Sequence, residues 1–222
     1  YQYPRCMVRQ FIQLIMISIQ YISQQTDTCS HLDNIRMACE AGCKWIQLRM
    51  KHADIPTITA TAALAKKVCD AHGATLIIND HPDIAALVDA HGTHVGKEDM
   101  TVAAARSITG PHKIVGGTAN TLEDILADGA DYVGIGPFRF TKTKEKLSPI
   151  LGLEGIRDIM ARLNVKIPVI AIGGITLEDV PDLFSTGIQG IALSGLITHA
   201  ADKRRLLSSL YQTIPHAITS NS

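Results

Sequence analysis

The sequence predicts a single-domain α/β protein, a (β/α)8 TIM barrel. Three observations lead to this prediction: the length of the chain, eight short apolar runs, and the helix signals between those runs. The chain has 222 residues, and a barrel of this kind typically takes roughly 200–250 residues. Apolar residues make up 46% of the chain, which is enough for a large core.

The eight apolar runs predict eight β-strands. Most runs are continuous rather than alternating, as is typical of parallel strands that are covered on both faces. The predicted strands are Ile17–Ile22, Trp45–Leu48, Thr75–Ile78, Thr93–Val95, Lys113–Val115, Tyr132–Ile135, Val169–Ile172 and Ile191–Leu193. Strict alternation with helices indicates a parallel sheet, and the number of strands favours a closed barrel over an open doubly wound sheet.

Helix ends can also be placed from the sequence. Glycines that stand two to four residues before a strand indicate helix C-termini, where a left-handed backbone is needed; they are Gly42, Gly73, Gly129 and Gly187. The two segments Thr121-Leu-Glu-Asp124 and Thr176-Leu-Glu-Asp179 each place an acid three residues after a threonine. That spacing predicts a helix N-cap at both threonines.

We assign residues 16–214 to the barrel, residues 1–15 to an N-terminal extension and residues 215–222 to a C-terminal tail. The apolar segment 7–22 is interrupted by Arg9 and several glutamines, and it is shorter than the ~20 residues that span a bilayer. It lacks a small-residue cleavage site, so we expect neither a membrane span nor a signal peptide.

Composition limits the partners and the compartment. Lys plus Arg equals Asp plus Glu, at 21 each, so no basic field indicates nucleic acid or an anionic membrane as a partner. The five cysteines are odd in number and include no CxxC spacing. We therefore expect reduced thiols in a cytoplasmic protein rather than zinc or disulfides. The sequence leaves open whether the chain forms a homo-oligomer.

Polar residues after strand 2 predict an anion-binding face. Gln47, Arg49 and Lys51 alternate with apolar residues, so they share the face that points into the barrel. In such barrels the site lies at the carboxyl ends of the strands. Two cations there either form an internal ion pair with an acid or bind a diphosphate, with arginine in a bidentate geometry.

Asp80 follows Asn79 after strand 3, and Asp99 follows strand 4, which should be the neighbouring strand. Two carboxylates beside a diphosphate site are what Mg2+ needs, since it takes one or two carboxylates together with water and phosphate oxygens. We therefore expect Mg2+ as cofactor at Asp80 and Asp99. The alternative is that Asn79-Asp80 is an ordinary turn and helix cap.

Three further segments follow strands 5 to 8. Thr118, after strand 5, could read the edge of a heterocycle or simply lead into the next helix. The long connection from Gly136 to Pro149 is hydroxylated and basic, which suits either a phosphate or a solvated loop. The segments Gly173-Gly174 and Ser194-Gly195, named here the glycine corner, match the usual phosphate site of these barrels, although two ordinary turns would also explain them.

The histidines, including His81 and His94, show no ligand spacing, and we interpret them as structural or surface residues.

The site then consists of a metal-assisted diphosphate site and a separate phosphate site, with no evident acid–base pair. Loss of diphosphate to a second, phosphate-bearing substrate is the simplest interpretation.

From about Ile17 to the end of strand 8 the sequence resembles thiamine phosphate synthase, also called thiamine phosphate pyrophosphorylase. The resemblance rests on several motifs in order: Trp45-Ile-Gln-Leu-Arg-Met-Lys51, Ile78-Asn-Asp80, His94-Val-Gly-Lys-Glu-Asp99, Tyr132-Val-Gly-Ile-Gly-Pro137, Thr141-Lys-Thr-Lys144 and Pro168-Val-Ile-Ala-Ile-Gly-Gly-Ile175. It implies a transferase that joins hydroxymethylpyrimidine diphosphate to a thiazole phosphate, with diphosphate leaving before the thiazole nitrogen captures the pyrimidine cation.

The resemblance also implies roles for individual residues. Pyrimidine diphosphate would be bound by Gln47, Leu48, Arg49, Met50, Lys51, Asn79, Thr118 and Lys144. Thiazole phosphate would be bound by Thr141, Lys142, Thr143, Gly174, Ser194 and Gly195. The catalytic cations would be Lys51, Lys144 and Arg49, and the Mg2+ ligands Asp80 and Asp99.

The chain departs from the family pattern at a few positions. Met50 replaces an acid, and the hydroxyl near strand 8 is displaced by one residue to Ser194; the others are Lys97, Thr118 and Asn120. Two rival functions remain open. A thiazole tautomerase shares the barrel and the glycine corner but binds no diphosphate, and a catalytically silent barrel would only bind a phosphorylated ligand.

Overall fold

The computed structural model describes residues 18–127, 129–140 and 149–214. Eight parallel strands pair in sequence order, and the last pairs with the first to close a barrel. The strands are β1 Ser18–Ile22, β2 Trp45–Leu48, β3 Thr75–Asn79, β4 Gly92–Val95, β5 Ile114–Ala119, β6 Tyr132–Ile135, β7 Val169–Ile172 and β8 Gly190–Leu193. The (β/α)8 prediction is confirmed.

Helices follow the strands around the outside of the barrel. Within the described ranges they are α1 His31–Glu40, α2 Ile55–Ala71, α3 Pro82–Leu87, α4 Val102–Thr109, α5 Leu122–Ala127, α6 Gly152–Arg162, α7 Val180–Ser185, α8 Gly195–Thr198 and α9 Lys203–Thr213. None of the helices in these ranges is both long and apolar enough to cross a bilayer. The assigned extension 1–15 and tail 215–222 lie outside the described residues.

Strand β5 is longer than predicted. The sequence placed Thr118 after this strand, but the strand continues to Ala119, and Thr118 pairs with Gly134 of β6. Gly116 and Gly117 lie in this strand, and because glycine has a low strand propensity the sequence pattern did not predict a strand there. Thr118 is therefore held by the sheet itself and not by a turn.

The helix ends agree with the sequence with one exception. The four glycines placed at helix C-termini all have positive φ angles. At α5 the Asp124 backbone N–H donates to Thr121 Oγ1, as predicted for a cap. The segment Thr176–Asp179 instead forms a turn and α7 begins later, at Val180, where Pro181 occupies the first turn and favours the helix start.

Glycine makes room for the large side chains that fill the interior of the barrel, the lumen. A small cluster of buried residues lies there, and Trp45 and Tyr132 are its aromatic members, with ring centroids 5.0 Å apart in an edge-to-face arrangement. A Cβ atom added at Gly116 would lie 2.3 Å from Cζ of Tyr132. Tyr132 is fully buried, so a shift of its ring would press on other buried groups.

We predict that Gly116→Ala lowers the free energy of unfolding by about 1–3 kcal/mol, because overpacking a filled core forces side chains and backbone to shift. Gly134→Ala is the matched control, since its Cβ would meet His94 at an ordinary 3.6 Å. Chemical denaturation of both variants measures the difference. Equal losses for the two substitutions would contradict the packing explanation.

Candidate active site

A cavity of about 1210 Å3 opens at the carboxyl ends of the strands, and residues from all eight strands or the turns after them line it. Most of the predicted site residues that the structure describes border this cavity: Gln47, Arg49, Met50, Lys51, Asn79, Asp80, Asp99, Thr118, Gly174, Ser194 and Gly195. The predicted residues Thr141, Lys142, Thr143 and Lys144 lie outside the described residues.

Leu48 is the one predicted site residue in the described ranges whose side chain does not line the cavity. It is 1% exposed and packs in the core between barrel and helices. Its neighbours Gln47 and Arg49 border the cavity. This is the alternation expected along a strand, so Leu48 contributes to the site through its backbone at most.

Asp80 and Asp99, the acidic pair, lie next to each other beside Gly96. A Cβ atom at Gly96 would be 2.4 Å from Oδ2 of Asp99 and 4.0 Å from Oδ1 of Asp80. Asp80 has a φ angle of 62°, the left-handed region that non-glycine residues seldom adopt. Its backbone N–H donates to the His94 carbonyl oxygen at 2.8 Å, which holds this strained conformation.

The electrostatics of the acidic pair favour a cation. Burial raises the pKa of Asp80, and the neighbouring charge of Asp99 and a hydrogen bond with it raise the pKa further, against the opposing effect of Lys51 and Arg49. Lys51 Nζ lies 3.5 Å from Asp80 Oδ2. Of the two alternatives that the sequence left open, the internal ion pair is therefore present, and diphosphate binding by Arg49 and Lys51 stays a prediction.

The acidic pair suits Mg2+ better than a metal that is held entirely by protein. No group of three or more His, Cys, Asp or Glu side chains positioned for a metal occurs among the described residues. Two carboxylates are nevertheless enough for Mg2+, which keeps several waters and takes its other ligands from phosphate oxygens. The absence of a side chain at Gly96 lets the Asp99 carboxylate come close to the backbone there, next to Asp80.

His31 supports the cationic face that Arg49 and Lys51 form, a role that the sequence did not indicate. The Arg49 backbone N–H donates to Ser23 Oγ at 3.1 Å, and Ser23 Oγ lies 2.8 Å from His31 Nδ1. Burial lowers the pKa of His31, and the charge of Arg49 lowers it further. His31 is thus neutral at pH 7. Through Ser23 it holds the backbone of Arg49, the residue that follows β2, in place.

A hydrogen-bonded chain of side chains crosses the floor of the cavity. Gln47 Nε2 donates to Gln20 Oε1 at 3.3 Å, and Gln20 Nε2 donates to the Tyr132 hydroxyl at 3.3 Å. The Tyr132 hydroxyl lies 3.1 Å from His94 Nδ1, and His94 Nε2 lies 3.0 Å from Thr118 Oγ1. We name this series the floor chain. Burial raises the pKa of Tyr132, which keeps its hydroxyl protonated.

The interpretation of His94 as a structural or surface residue was incomplete, because His94 lines the cavity and touches Thr118. Alternation along β4 could have shown this, since Thr93 and Val95 are buried on the other face. Its partners Tyr132 and Thr118 are 38 and 24 residues away in sequence, so no local motif indicates these two contacts.

At the glycine corner, Gly173 and Gly174 have φ angles of 105° and 64°, which only glycine adopts without strain. Arg139 binds Asp179 through two bonds of 2.8 and 2.9 Å and also donates to the Gly174 carbonyl oxygen at 2.7 Å. That carbonyl is therefore directed at Arg139. A side chain at Gly174 would press on Cβ of Arg139 at 3.0 Å.

Two departures from the family pattern are accounted for by contacts beside β5. Lys97 Nζ donates to Asp124 Oδ2 at 2.8 Å, and the same carboxylate oxygen accepts from the Asn120 backbone N–H at 2.8 Å. The Asn120 side chain donates to the Gly136 carbonyl oxygen. Lys97 and Asn120 thus anchor the turns around the cavity to one another.

Comparison with known proteins relates this site to one family. The profile of the family described as Thiamine monophosphate synthase matches residues 19–197. A thiamine-phosphate synthase of Bacteroides fragilis is 52% identical over 84% of this chain and 95% of its own length. One of Flavobacterium psychrophilum is 48% identical over 86% and 96%. The solved thiamine phosphate pyrophosphorylase of Pyrococcus furiosus superposes with a TM-score of 0.79 at 29% identity, covering 93% of this chain and 98% of its own.

We predict that Arg49→Ala raises the pKa of His31, because it removes a positive charge that disfavours the imidazolium. Burial remains, so the pKa stays below the ordinary value near 6.5. Titration of the imidazole protons by NMR measures the change. Lys51→Ala removes a charge that does not act on His31 and serves as the control. The same rise in both variants, or none in Arg49→Ala, would contradict the assigned cause.

Proposed function

The chain belongs to the thiamine-phosphate synthase family, whose members are transferases, and from this premise we propose that it joins hydroxymethylpyrimidine diphosphate to a thiazole phosphate. The products would be thiamine phosphate and diphosphate. The observation that carries the proposal is one cavity that joins the acidic pair and its cations to the glycine corner.

The size of the cavity supports two substrates. At about 1210 Å3 it exceeds the roughly 300–1,000 Å3 of a site for one small ligand. Its two sides also differ in charge. Arg49, Lys51 and the acidic pair lie on one side, and the glycine corner presents backbone and neutral polar groups on the other. One side suits a diphosphate with its metal, and the other suits a monophosphate.

We propose that Asp80 and Asp99 hold Mg2+. The close approach of the two carboxylates beside Gly96, the raised pKa of Asp80 and the proximity of Lys51 all fit a site for a cation with a phosphorylated ligand. When bound, Mg2+ would offset the negative charge that accumulates on the departing diphosphate.

The side chains of the protein would act by positioning and by electrostatic stabilisation. Arg49 can bind phosphate oxygens in a bidentate way, and Lys51 adds a point charge, so both stabilise the leaving group. Gln47 and Thr118 border the part of the cavity where the pyrimidine would lie, and the floor chain fixes both. Orienting the thiazole nitrogen towards the reacting carbon supplies the rest of the acceleration.

The floor of the cavity supports a reaction without general acid–base catalysis. The His94 ring nitrogens face two hydroxyls, and the pKa of Tyr132 is raised by burial. A tautomerase must move protons on its substrate, whereas loss of diphosphate needs charge stabilisation alone. The acidic pair and Lys51 have no task in a tautomerase or in a silent phosphate-binding barrel.

We propose that the enzyme works in the cytoplasm on small-molecule substrates. Cys39, Cys43 and Cys69 are buried free thiols, a state that a reducing compartment maintains. Burial raises the pKa of Cys43 to about 12, so this thiol is unreactive.

We predict that Asp80→Ala and Asp99→Ala each lower the rate of thiamine phosphate formation by about 10²-fold or more, because the metal supplies several kcal/mol of charge stabilisation. Thiazole phosphate binding should change little. Mg2+ with inorganic diphosphate should raise the Tm of the wild type but not that of either variant. The control is Asp158→Ala on α6, whose partner Arg162 is exposed.

The assay forms thiamine phosphate from the two purified substrates over a range of Mg2+ concentrations. If either variant keeps wild-type activity and still shows the Mg2+-dependent rise in Tm, that carboxylate is not a metal ligand.

We predict that Lys51→Ala and Lys144→Ala mainly lower kcat, by roughly 10²-fold each if each lysine contributes about 2.7 kcal/mol to the transition state. Lys51→Ala should fold, because Lys51 is at the mouth of the barrel and partly exposed. Lys166→Ala on the outer surface is the control.

Two results would oppose this proposal. Wild-type protein that forms no thiamine phosphate but isomerises carboxylated thiazole phosphate would be a tautomerase. Unfolding of Lys51→Ala, seen by circular dichroism, would mean that the pair with Asp80 is structural.

A further inference from the structure

Gln24 lies two residues after β1 and lines the cavity beside the glycine corner, although no sequence motif indicated it. We propose that Gln24 binds the phosphate of the thiazole substrate through its side-chain amide and that Ser194 acts by orienting this amide. The inference rests on the proposed function, because it assigns the residue that receives the second substrate.

The backbone of Gln24 is held from two sides. The buried Asn34 on α1 donates from Nδ2 to the Gln24 carbonyl oxygen at 2.9 Å and to the Ser30 carbonyl oxygen at 3.3 Å. The Gln24 backbone also hydrogen-bonds the Tyr21 hydroxyl, which lies 2.9 Å from Thr198 Oγ1. Because two buried side chains hydrogen-bond its backbone, Gln24 is held in position before a ligand binds.

The side chain of Gln24 is oriented by the glycine corner. Ser194 Oγ donates to Gln24 Oε1 at 3.3 Å, and a Cβ atom at Gly195 would lie 3.7 Å from the same oxygen. With its oxygen facing Ser194, the amide has its NH2 group left to donate. Among the described residues, no hydrogen-bond partner takes Nε2 of Gln24.

This arrangement changes the role of Ser194. Its single hydroxyl proton is directed at Gln24, so the hydroxyl cannot donate the same proton to a phosphate. The amide of Gln24 offers two N–H donors in its place. The family pattern has this hydroxyl at position 195, whereas here it stands at position 194. The donors of Gln24, which comes from the first strand end, thereby compensate for the displaced hydroxyl.

The neutral side chain of Gln24 also favours one of the two substrates over the other. Arg139, a cation that contacts the glycine corner, is bound to Asp179 and to the Gly174 carbonyl oxygen. The corner therefore offers neutral donors from Gln24 and the backbone, which suit a monophosphate. A metal-bound diphosphate is drawn to Arg49 and Lys51 on the other side of the cavity.

The test uses Gln24→Met, which keeps the length of the side chain and removes the amide, together with Gln24→Glu and Ser194→Ala. Gln212→Ala, an exposed position on α9, is the control. Steady-state kinetics gives KM for each substrate, and calorimetry gives Kd for thiazole phosphate alone.

We expect Gln24→Met to raise KM and Kd for thiazole phosphate about tenfold, as is typical for the loss of one hydrogen bond to a charged group. KM for pyrimidine diphosphate should stay within about twofold. Gln24→Glu should bind thiazole phosphate more weakly still, because a carboxylate repels phosphate and donates no hydrogen bond. Ser194→Ala should have the smaller effect of the three.

The inference is overturned if Gln24→Met leaves KM and Kd for thiazole phosphate unchanged while wild type forms thiamine phosphate; the proposed function then stands. It is also overturned if both KM values rise together or if Gln24→Met and Gln24→Glu both unfold, since the residue is then structural. If wild type forms no thiamine phosphate, the proposed function fails. Calorimetry still decides on Gln24, because tenfold weaker binding by Gln24→Met supports it and unchanged binding refutes it.

Discussion

The pairing of β8 with β1 closes the sheet, and the site depends on this closure. In a closed parallel sheet every strand points its carboxyl end to the same mouth, so groups that are distant in sequence must meet there. Gln24 and Ser194 are separated by 170 residues and share a hydrogen bond because β1 and β8 are neighbours. An open sheet would leave these residues at opposite edges, with the glycine corner lacking one of its walls.

Closure also determines which residues fill the lumen. Large side chains such as Trp45 and Tyr132 occupy the lower part, and Gly116 on the neighbouring strand β5 gives Tyr132 room. Above them the floor chain replaces apolar packing with hydrogen bonds. The transition from an apolar to a polar interior therefore occurs within the strands, before the chain reaches the turns that carry the charged residues.

The sequence predicted the strands well where β-branched and apolar residues run together. Trp45–Leu48, Tyr132–Ile135 and Val169–Ile172 match the structure at both ends. It failed at Gly116 and Gly117, where strand pairing overrides a low local propensity, and at Thr176, where a proline further on moves the helix start. In both cases the local signal was outweighed by the tertiary context.

Residues with a charge near a strand end were also predictable, because Lys51, Asp80 and Asp99 stand two to four residues after apolar runs. His31 and Gln24 could not be found in this way, and for His94 alternation along β4 indicates the face but not the partners. Their importance comes from the contact that each makes, and an uncharged polar residue after a strand is too common to carry information. Only the register of the closed sheet shows what such residues touch.

The floor chain has a direction, and the direction follows from the amide of Gln20. An amide NH2 can only donate, so the bond from Gln20 makes the Tyr132 oxygen an acceptor and turns the Tyr132 proton towards His94 Nδ1. A neutral imidazole that accepts at Nδ1 carries its hydrogen on Nε2, which then donates to Thr118. The Thr118 hydroxyl then accepts from His94 and keeps its own proton for another acceptor. One glutamine amide thus selects a histidine tautomer, and a hydroxyl that lines the cavity is left as a donor to a ligand.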